Sequence, residues 1–261
     1  MNQPQFEKTT LKNGIRVLTE RHESTQCAVV GFWLQTGSRD EPLELQGVSH
    51  LIEHLVFKGT KSFSALDIAH KLEAVGGEIN AFTAKEHVCF HTMTLKEDLE
   101  LSVHVLSELI ALALFDDDAV EKEKKVVLQE ILMAKDDIED SVFDNFFLAA
   151  FPNHPLGTNI LGTSQTVSQL SRQQIRDWYK NIYRPNNLIV SVAGRVEHQN
   201  VVALVEKYLG SEEPQEIEIV RTSPQSHALR KFDFRESEQV HAIVSLDRKS
   251  TRLNSSHLVI S

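Results

Sequence analysis

One stretch of five residues, His50-Leu51-Ile52-Glu53-His54, constrains the fold more than any other part of the chain. In a helix these side chains share one face, with Glu53 roughly 60° to one side of His50 and His54 about 40° to the other. Two neutral imidazoles at this spacing can bind a metal such as zinc, and a neighbouring carboxylate can take a proton from metal-bound water. The stretch therefore predicts a helix that presents three polar side chains to one metal site.

The residues around this motif indicate whether the helix is exposed or buried. The alternative to a metal site is an exposed helix whose two histidines are solvated. The flanking positions are apolar and comprise Val48, Leu51, Ile52, Leu55, Val56 and Phe57. Buried histidine and glutamate side chains need polar partners, and a metal ion would supply one. The flanks therefore favour the metal-binding interpretation.

Charge and composition exclude several classes of function. The net charge is -10 at pH 7 and the sequence pI is about 5.6, which favours neither nucleic acid nor an anionic membrane surface. No apolar run approaches the roughly 20 residues of a membrane span. Residues 1–5 are polar and a strand-like run follows at once, so we expect no secretory signal and a cytoplasmic protein. Cys27 and Cys89 are expected to be reduced thiols, and a disulfide between them is the alternative.

Strand-like and helix-like runs follow one another without a regular repeat. Lys12-Asn13-Gly14, between two alternating runs, is a strong hairpin signal. Strands are predicted at 6–11, 15–20, 27–34, 79–83, 88–95 and 188–193. Helices are predicted at 47–57, 65–75, 97–114, 119–134, 141–151, 173–182 and 199–209. This mixed order favours an α+β fold over a doubly wound sheet.

The helix predicted at 119–134 offers a third metal ligand. Glu123 and Glu130 are two turns apart and lie within about 20° of each other on one face. Their neighbours are mostly apolar, and Glu130 is expected to be the most enclosed carboxylate of this helix. The alternative is a solvated face shared with Glu121 and Lys124. Catalytic zinc often takes two histidines and one carboxylate, so this helix is expected to complete the site.

The two motifs together resemble the inverted-zincin peptidases of family M16. These are His50-Leu51-Ile52-Glu53-His54 and Glu123-Lys124-Lys125-Val126-Val127-Leu128-Gln129-Glu130. The family includes insulin-degrading enzyme, pitrilysin and the β subunit of mitochondrial processing peptidase. Further likeness lies in the opening hairpin at 11–17, the segment 76–83, the turn 183–187 with 192–194, and the segment 236–241. The resemblance covers about Gln5 to Leu246.

This resemblance implies both a fold and a metal site. The fold would be a mixed, mainly antiparallel sheet covered by helices, a LuxS/MPP-like metallohydrolase domain of α+β class, followed by a fragment of a second similar domain. One zinc ion per chain would be held by His50, His54 and Glu130. Glu53 would be the general base, and Glu123 would support the site by orienting a ligand histidine or fixing its helix.

The family also implies where substrate binds. Asn80 and Ala81 match the strand edge that holds an extended peptide, which would add to the sheet as an extra strand. The alternative is that Asn80 only begins a hairpin strand. Family members contribute an Arg-Tyr pair from a second domain, and nothing after Leu246 is expected to supply that pair.

The expected domain organisation has four parts. Residues 1–210 would form the metallopeptidase domain, 211–230 an interdomain linker, and 231–246 the start of a truncated second domain with a strand pattern. Residues 247–261 resemble the conceptual translation of a sequencing-adapter oligonucleotide and are predicted to be non-native. A disordered native tail is the alternative.

The resemblance implies a zinc-dependent endopeptidase that hydrolyses peptides or small unfolded proteins. The expected partners are a peptide substrate and a second subunit, either in a homodimer or as a paired M16 chain. Two other classes remain open. One is a non-catalytic or inactive subunit that binds peptide or a partner chain, and the other is a metal-dependent hydrolase of non-peptide substrates.

Overall fold

The computed structural model describes residues 5–214, 219–225, 230–236 and 239–245. Its strands are β1 Gln5–Thr10, β2 Arg16–Arg21, β3 Cys27–Leu34, β4 Glu78–Thr83, β5 Val88–Leu95 and β6 Leu188–Gly194. Its helices are α1 Val48–Val56, α2 Ala65–Glu73, α3 Leu99–Ala111, α4 Asp117–Asp136, α5 Ile138–Ala150, α6 Ser164–Gln169, α7 Arg172–Ile182 and α8 His198–Leu209. Cys27 and Cys89 are both free thiols.

The strands form one six-stranded sheet in the order β1-β2-β6-β3-β5-β4. The pair β2–β6 is parallel, and the other four pairs are antiparallel. The predicted α+β fold with a mixed, mainly antiparallel sheet is therefore confirmed. The strand β4, which carries Asn80 and Ala81, lies at one edge of this sheet, and within the described ranges its only partner strand is β5.

Alternation along the strands explains where the hydrophobic core lies. In β3, Ala28, Val30, Phe32 and Leu34 are fully buried. Helix α3 packs against β3 and β5, and α1 packs against β4 and against α4. Each large side chain buried in this way contributes roughly 1.5–3 kcal/mol, so the core fixes the two helices that carry the predicted metal ligands.

The helix predicted around His50 and His54 is confirmed as α1. Its apolar side is fully buried, at Val48, Leu51, Ile52, Leu55 and Val56. With these residues in the core, the remaining side of the helix faces β4 and α4. The register of α1 is therefore set by its apolar positions, and its polar residues are left to form the site.

The secondary structure differs from the sequence-based expectation in two places. Helix α6 was not predicted, since it has only six residues and one buried side chain, Val167. The strand pattern predicted from residue 231 is wrong within 231–236 and 239–245, where no strand is assigned. Phe232 and Phe234 are exposed there, and a strand requires a partner to pair with. The predicted non-native segment 247–261 lies outside the described residues.

The helices α1–α8 all lie within the described ranges. None of the helices in those ranges combines the length and the apolar character that a membrane span needs.

Candidate metal centre

Three ligand atoms from two helices converge at one point. Helix α1 places the rings of His50 and His54 with their centroids 4.7 Å apart in an edge-on arrangement. Helix α4 brings Glu130 against them, with its Oε2 lying 3.8 Å from His50 Nε2 and 3.6 Å from His54 Nε2. One potential ligand atom from each residue lies within 4.8 Å of the others. The structure therefore brings together the two predicted histidines and the predicted glutamate.

The spacing of these atoms fits a metal ion better than direct hydrogen bonds. Separations of 3.6 and 3.8 Å are too long for hydrogen bonds. Ligands of a tetrahedral zinc ion lie about 3.3 Å from one another, since Zn–N and Zn–O bonds are about 2.0–2.2 Å long. Glu130 Oε2 is buried without a hydrogen-bond partner among the described residues. A buried carboxylate oxygen without a donor fits the place of a metal ligand.

The protonation of His50 suits metal binding. Burial, and to a smaller extent the neighbouring His54, lower the pKa of His50 to about 4. The ring is therefore neutral near pH 7, which is the form of imidazole that binds a metal. These residues together fit a zinc ion with two nitrogen ligands and one oxygen ligand.

Glu123 contacts His54 at the ring nitrogen that does not face Glu130. Its Oε2 is 3.3 Å from His54 Nδ1, and its Oε1 is 2.9 Å from Lys58 Nζ. A carboxylate that accepts a hydrogen bond from the far nitrogen of a ligand histidine fixes the orientation and tautomer of that ring. The structure thus places Glu123 where it can orient His54.

The expectation that Glu130 is the most enclosed carboxylate of its helix is wrong. The side chain of Glu123 is 9% exposed, whereas that of Glu130 is 37% exposed. Glu123 is covered by His54 and Lys58, while Glu130 turns only its Oε2 inward. Burial along one helix face cannot be ranked from sequence, because the covering groups belong to α1 and to the turn that follows it.

Glu53 lies beside the converging atoms and is held by β4. Its Oε2 accepts a hydrogen bond from the hydroxyl of Thr83 at 2.5 Å. Burial raises the pKa of Glu53, whereas the hydrogen bond from Thr83 and the nearby His54 lower it. A carboxylate with a raised pKa is a better proton acceptor, which suits a general base.

Asn80 and Ala81 lie in the middle of the edge strand β4. Asn80 is exposed, and its Oδ1 accepts a hydrogen bond from the N–H of Ala81 at 2.8 Å. Thr83 contacts Glu53 of α1, so alternation places Ala81 on the same side of the strand as Thr83 and Asn80 on the opposite side. The edge position agrees with the expected placement, and the side chain of Asn80 lies on the side away from α1.

Glu41 anchors the start of α1, a role that the sequence did not suggest. This buried carboxylate accepts hydrogen bonds from the backbone N–H groups of Gly47 and Ser49, each at 2.8 Å. Gly47 adopts a φ of 91°, and a Cβ there would lie 2.5 Å from the carbonyl oxygen of Leu161. The available signal was weak, because Asp40, Glu41 and Glu44 all precede the motif and an acidic side chain at any of these positions can satisfy the free N–H groups of a helix start.

Replacing Glu41 with alanine is expected to destabilise the fold. The loss should be at least about 2 kcal/mol, because two buried backbone N–H groups lose their acceptor. Burial raises the pKa of Glu41 from 4.5 to about 7. The carboxyl group's stabilising contribution is therefore complete below its unfolded pKa and is lost as the pH rises through about 7. The difference from wild type should be larger at about pH 5 than at about pH 8.

Urea unfolding at the two pH values measures this effect. Glu44→Ala, which alters an exposed residue of the same loop, is the matched control and should change stability by less than about 0.5 kcal/mol. Equal stability of wild type and Glu41→Ala at both pH values would contradict the anchoring role.

The chain matches a known family over most of its length. A family model described as Insulinase (Peptidase family M16) matches residues 16–164, which is more than half of the chain. The chain belongs to the M16 peptidase family. A second family model, described as Peptidase M16 inactive domain, matches residues 169–255. The predicted membership in M16, with part of a second domain, is confirmed.

Curated relatives in the M16 family carry names that refer to zinc and to proteolysis. An uncharacterized zinc protease of Mycobacterium leprae is 44% identical over 78% of this chain and 46% of its own length. A probable mitochondrial-processing peptidase subunit beta of Schizosaccharomyces pombe is 36% identical over 81% of this chain and 46% of its own length. The chain thus spans about half the length of these M16 relatives.

Solved structures agree with the M16 fold. A protease from Helicobacter pylori superposes with a TM-score of 0.80 and 26% identity, over 85% of this chain and 55% of that chain. A putative M16-like peptidase from Alicyclobacillus acidocaldarius gives a TM-score of 0.77 over 86% of this chain and 55% of its own, at 21% identity, and so supports the fold alone.

Proposed function

We propose that this chain carries the metal centre of a zinc-dependent endopeptidase that hydrolyses peptides or small unfolded proteins. The observation that supports this most is the convergence of His50, His54 and Glu130. Glu53 lies on the same helix as the two histidines, between them in sequence. The M16 relatives named zinc proteases support the same metal and the same class of reaction.

The proposed chemistry follows from the residues at the centre. His50, His54 and Glu130 would hold zinc, which lowers the pKa of a bound water and polarises a substrate carbonyl when it is present. Glu53 would accept a proton at its carboxylate from the attacking water and deliver it to the nitrogen of the leaving amine. Glu123 would keep the His54 ring in the orientation that directs Nε2 toward Glu130.

The edge strand β4 supports a peptide as the substrate. It pairs with β5 on one side, so its other side can accept an extended chain through backbone hydrogen bonds. An incoming peptide would compete with Asn80 Oδ1 for the N–H of Ala81. Recognition of this kind depends mainly on the peptide backbone, so we expect broad side-chain tolerance.

Cleavage of unfolded protein tests the proposed function. The purified chain, supplied with zinc, is expected to cleave fluorescein-labelled, denatured casein, because the site can hold zinc beside a general base. A zinc chelator should abolish the activity and added zinc should restore it. Assays with small ester and amide substrates in parallel separate a peptidase from a hydrolase of other compounds.

A chain that binds zinc but cleaves neither casein nor short peptides would contradict the proposed function. Binding of labelled peptide by such a chain would then support the non-catalytic subunit.

A further inference from the structure

Thr83, the last residue of the edge strand β4, contacts Glu53 of helix α1. Thr83 and Glu53 are 30 positions apart, and the Thr83 hydroxyl donates a hydrogen bond of 2.5 Å to Glu53 Oε2. Both residues are partly buried where β4 packs on α1. This is a short contact between a neutral donor and a carboxylate, of the kind in which an ionised acceptor strengthens the bond.

The hydroxyl of Thr83 is well placed to limit the motion of Glu53. A glutamate side chain has several rotatable bonds and loses conformational entropy when it is held in one position. Threonine is branched at Cβ, which restricts rotation about its χ1 bond. Thr83 also pairs with Val88 of β5, so the sheet fixes the backbone from which the hydroxyl projects. The direction of the hydroxyl is therefore set by the sheet.

We propose that Thr83 is a positioning residue that holds the Glu53 carboxylate beside the metal ligands and couples it to the edge strand β4. The proposal rests on the proposed function, because it assumes that Glu53 is the general base. Its consequence is that the strand expected to pair with substrate also fixes the group that moves the proton. The competing explanation is that the hydroxyl only satisfies a partly buried carboxylate.

Two substitutions at position 83 separate these explanations. Thr83→Val keeps the shape of the side chain and removes the hydroxyl, whereas Thr83→Ser keeps the hydroxyl and removes the methyl group. The matched control is Thr10→Val, which alters an exposed residue at the end of β1, on the opposite edge of the sheet. All variants are made in the full chain and assayed on denatured casein labelled with fluorescein, with zinc content measured in parallel.

We expect Thr83→Val to lower kcat about tenfold to a hundredfold, which is part of the 10²–10⁴-fold usually supplied by a general base. KM and zinc content should stay within about twofold of wild type, because neither the substrate edge nor the ligands change. Thr83→Ser should recover kcat to within about threefold, and Thr10→Val should match wild type. Thr83→Val should cause no further loss when Glu53→Gln is already present.

Crystal structures give a readout that does not depend on activity. In the wild type and in Thr83→Ser, the Glu53 carboxylate should occupy one position within hydrogen-bond distance of residue 83, and in Thr83→Val it should move away or become disordered. A wild-type kcat in Thr83→Val would overturn the proposal, as would an unmoved Glu53 in its structure. If the wild type cleaves nothing, the proposed function fails by itself, and the position of Glu53 in these crystals decides the role of Thr83.

Discussion

Replacing Glu130 with glutamine is expected to remove zinc from the purified protein, whereas the wild type should retain about one zinc ion per chain. Glu130 Oε2 is the oxygen that faces both histidines, at 3.8 Å from His50 Nε2 and 3.6 Å from His54 Nε2. A neutral amide is a much weaker ligand for zinc than a carboxylate. We expect the affinity for zinc to fall by more than about a hundredfold. A loss of about a hundredfold is the largest that is usual for a residue that only supports a ligand, and Glu130 is expected to be a ligand itself. Elemental analysis measures the zinc content, and titration against a chelator measures the affinity for zinc.

Two variants of the same helix provide the controls. Glu123→Gln should bind zinc about 10–100-fold more weakly, because it weakens the contact that orients His54 without removing a ligand. Glu121→Gln alters an exposed side chain and should bind zinc like the wild type. If Glu130→Gln retains zinc and Glu123→Gln loses it, the third ligand is Glu123 and not Glu130. Absence of zinc from every variant and from the wild type would contradict the metal site.

Replacing Glu53 with glutamine is expected to abolish turnover and leave zinc in place. Glutamine has almost the same shape, and it can still accept a hydrogen bond from Thr83, but it cannot accept the proton of the attacking water. We expect kcat to fall by about 10²–10⁴-fold, with KM nearly unchanged, because the lost interaction acts in the transition state. Casein cleavage and zinc content, measured on the same preparation, test both parts of this expectation.

An exposed glutamate on α2 offers a matched control for this substitution. Glu73→Gln makes the same chemical change away from the metal centre and should leave kcat within about twofold of wild type. A Glu53→Gln variant that cleaves casein at the wild-type rate would show that Glu53 is not the base. Loss of zinc from the variant would instead show that Glu53 contributes to the metal site itself.

The elements with the clearest local patterns were predicted best. The bounds of β3 and β5 agree with the structure at both ends. A continuous apolar run marks β3, whereas β-branched and aromatic residues mark β5. Helix α1 was predicted to within one residue at each end, because its apolar positions follow the helical repeat. Helix α6 was missed because six residues with one buried side chain carry almost no periodic signal.

The residues that support the site were predicted less well than those expected to bind the metal. Glu41 and Thr83 contact α1 from a loop and from a strand, and neither belongs to a motif that indicates the contact. The exposed fractions of Glu123 and Glu130 were ranked in the wrong order for a related reason. Both glutamates lie on one face of α4, and their exposure depends on which residues of α1 and of the turn after it cover them.

The sequence by itself determined the periodic elements, the family and the residue types of the candidate metal centre. The elements and residue types follow from spacing within single segments, where one helical turn separates His50 from His54 and two turns separate Glu123 from Glu130. The family follows from the resemblance of the combined motifs to known M16 sequences. Only the tertiary structure decided which oxygen of Glu130 faces the histidines and that Thr83 holds Glu53. Such contacts join segments far apart in the chain. Their geometry is set by packing in the shared core, and a local sequence pattern does not contain that information.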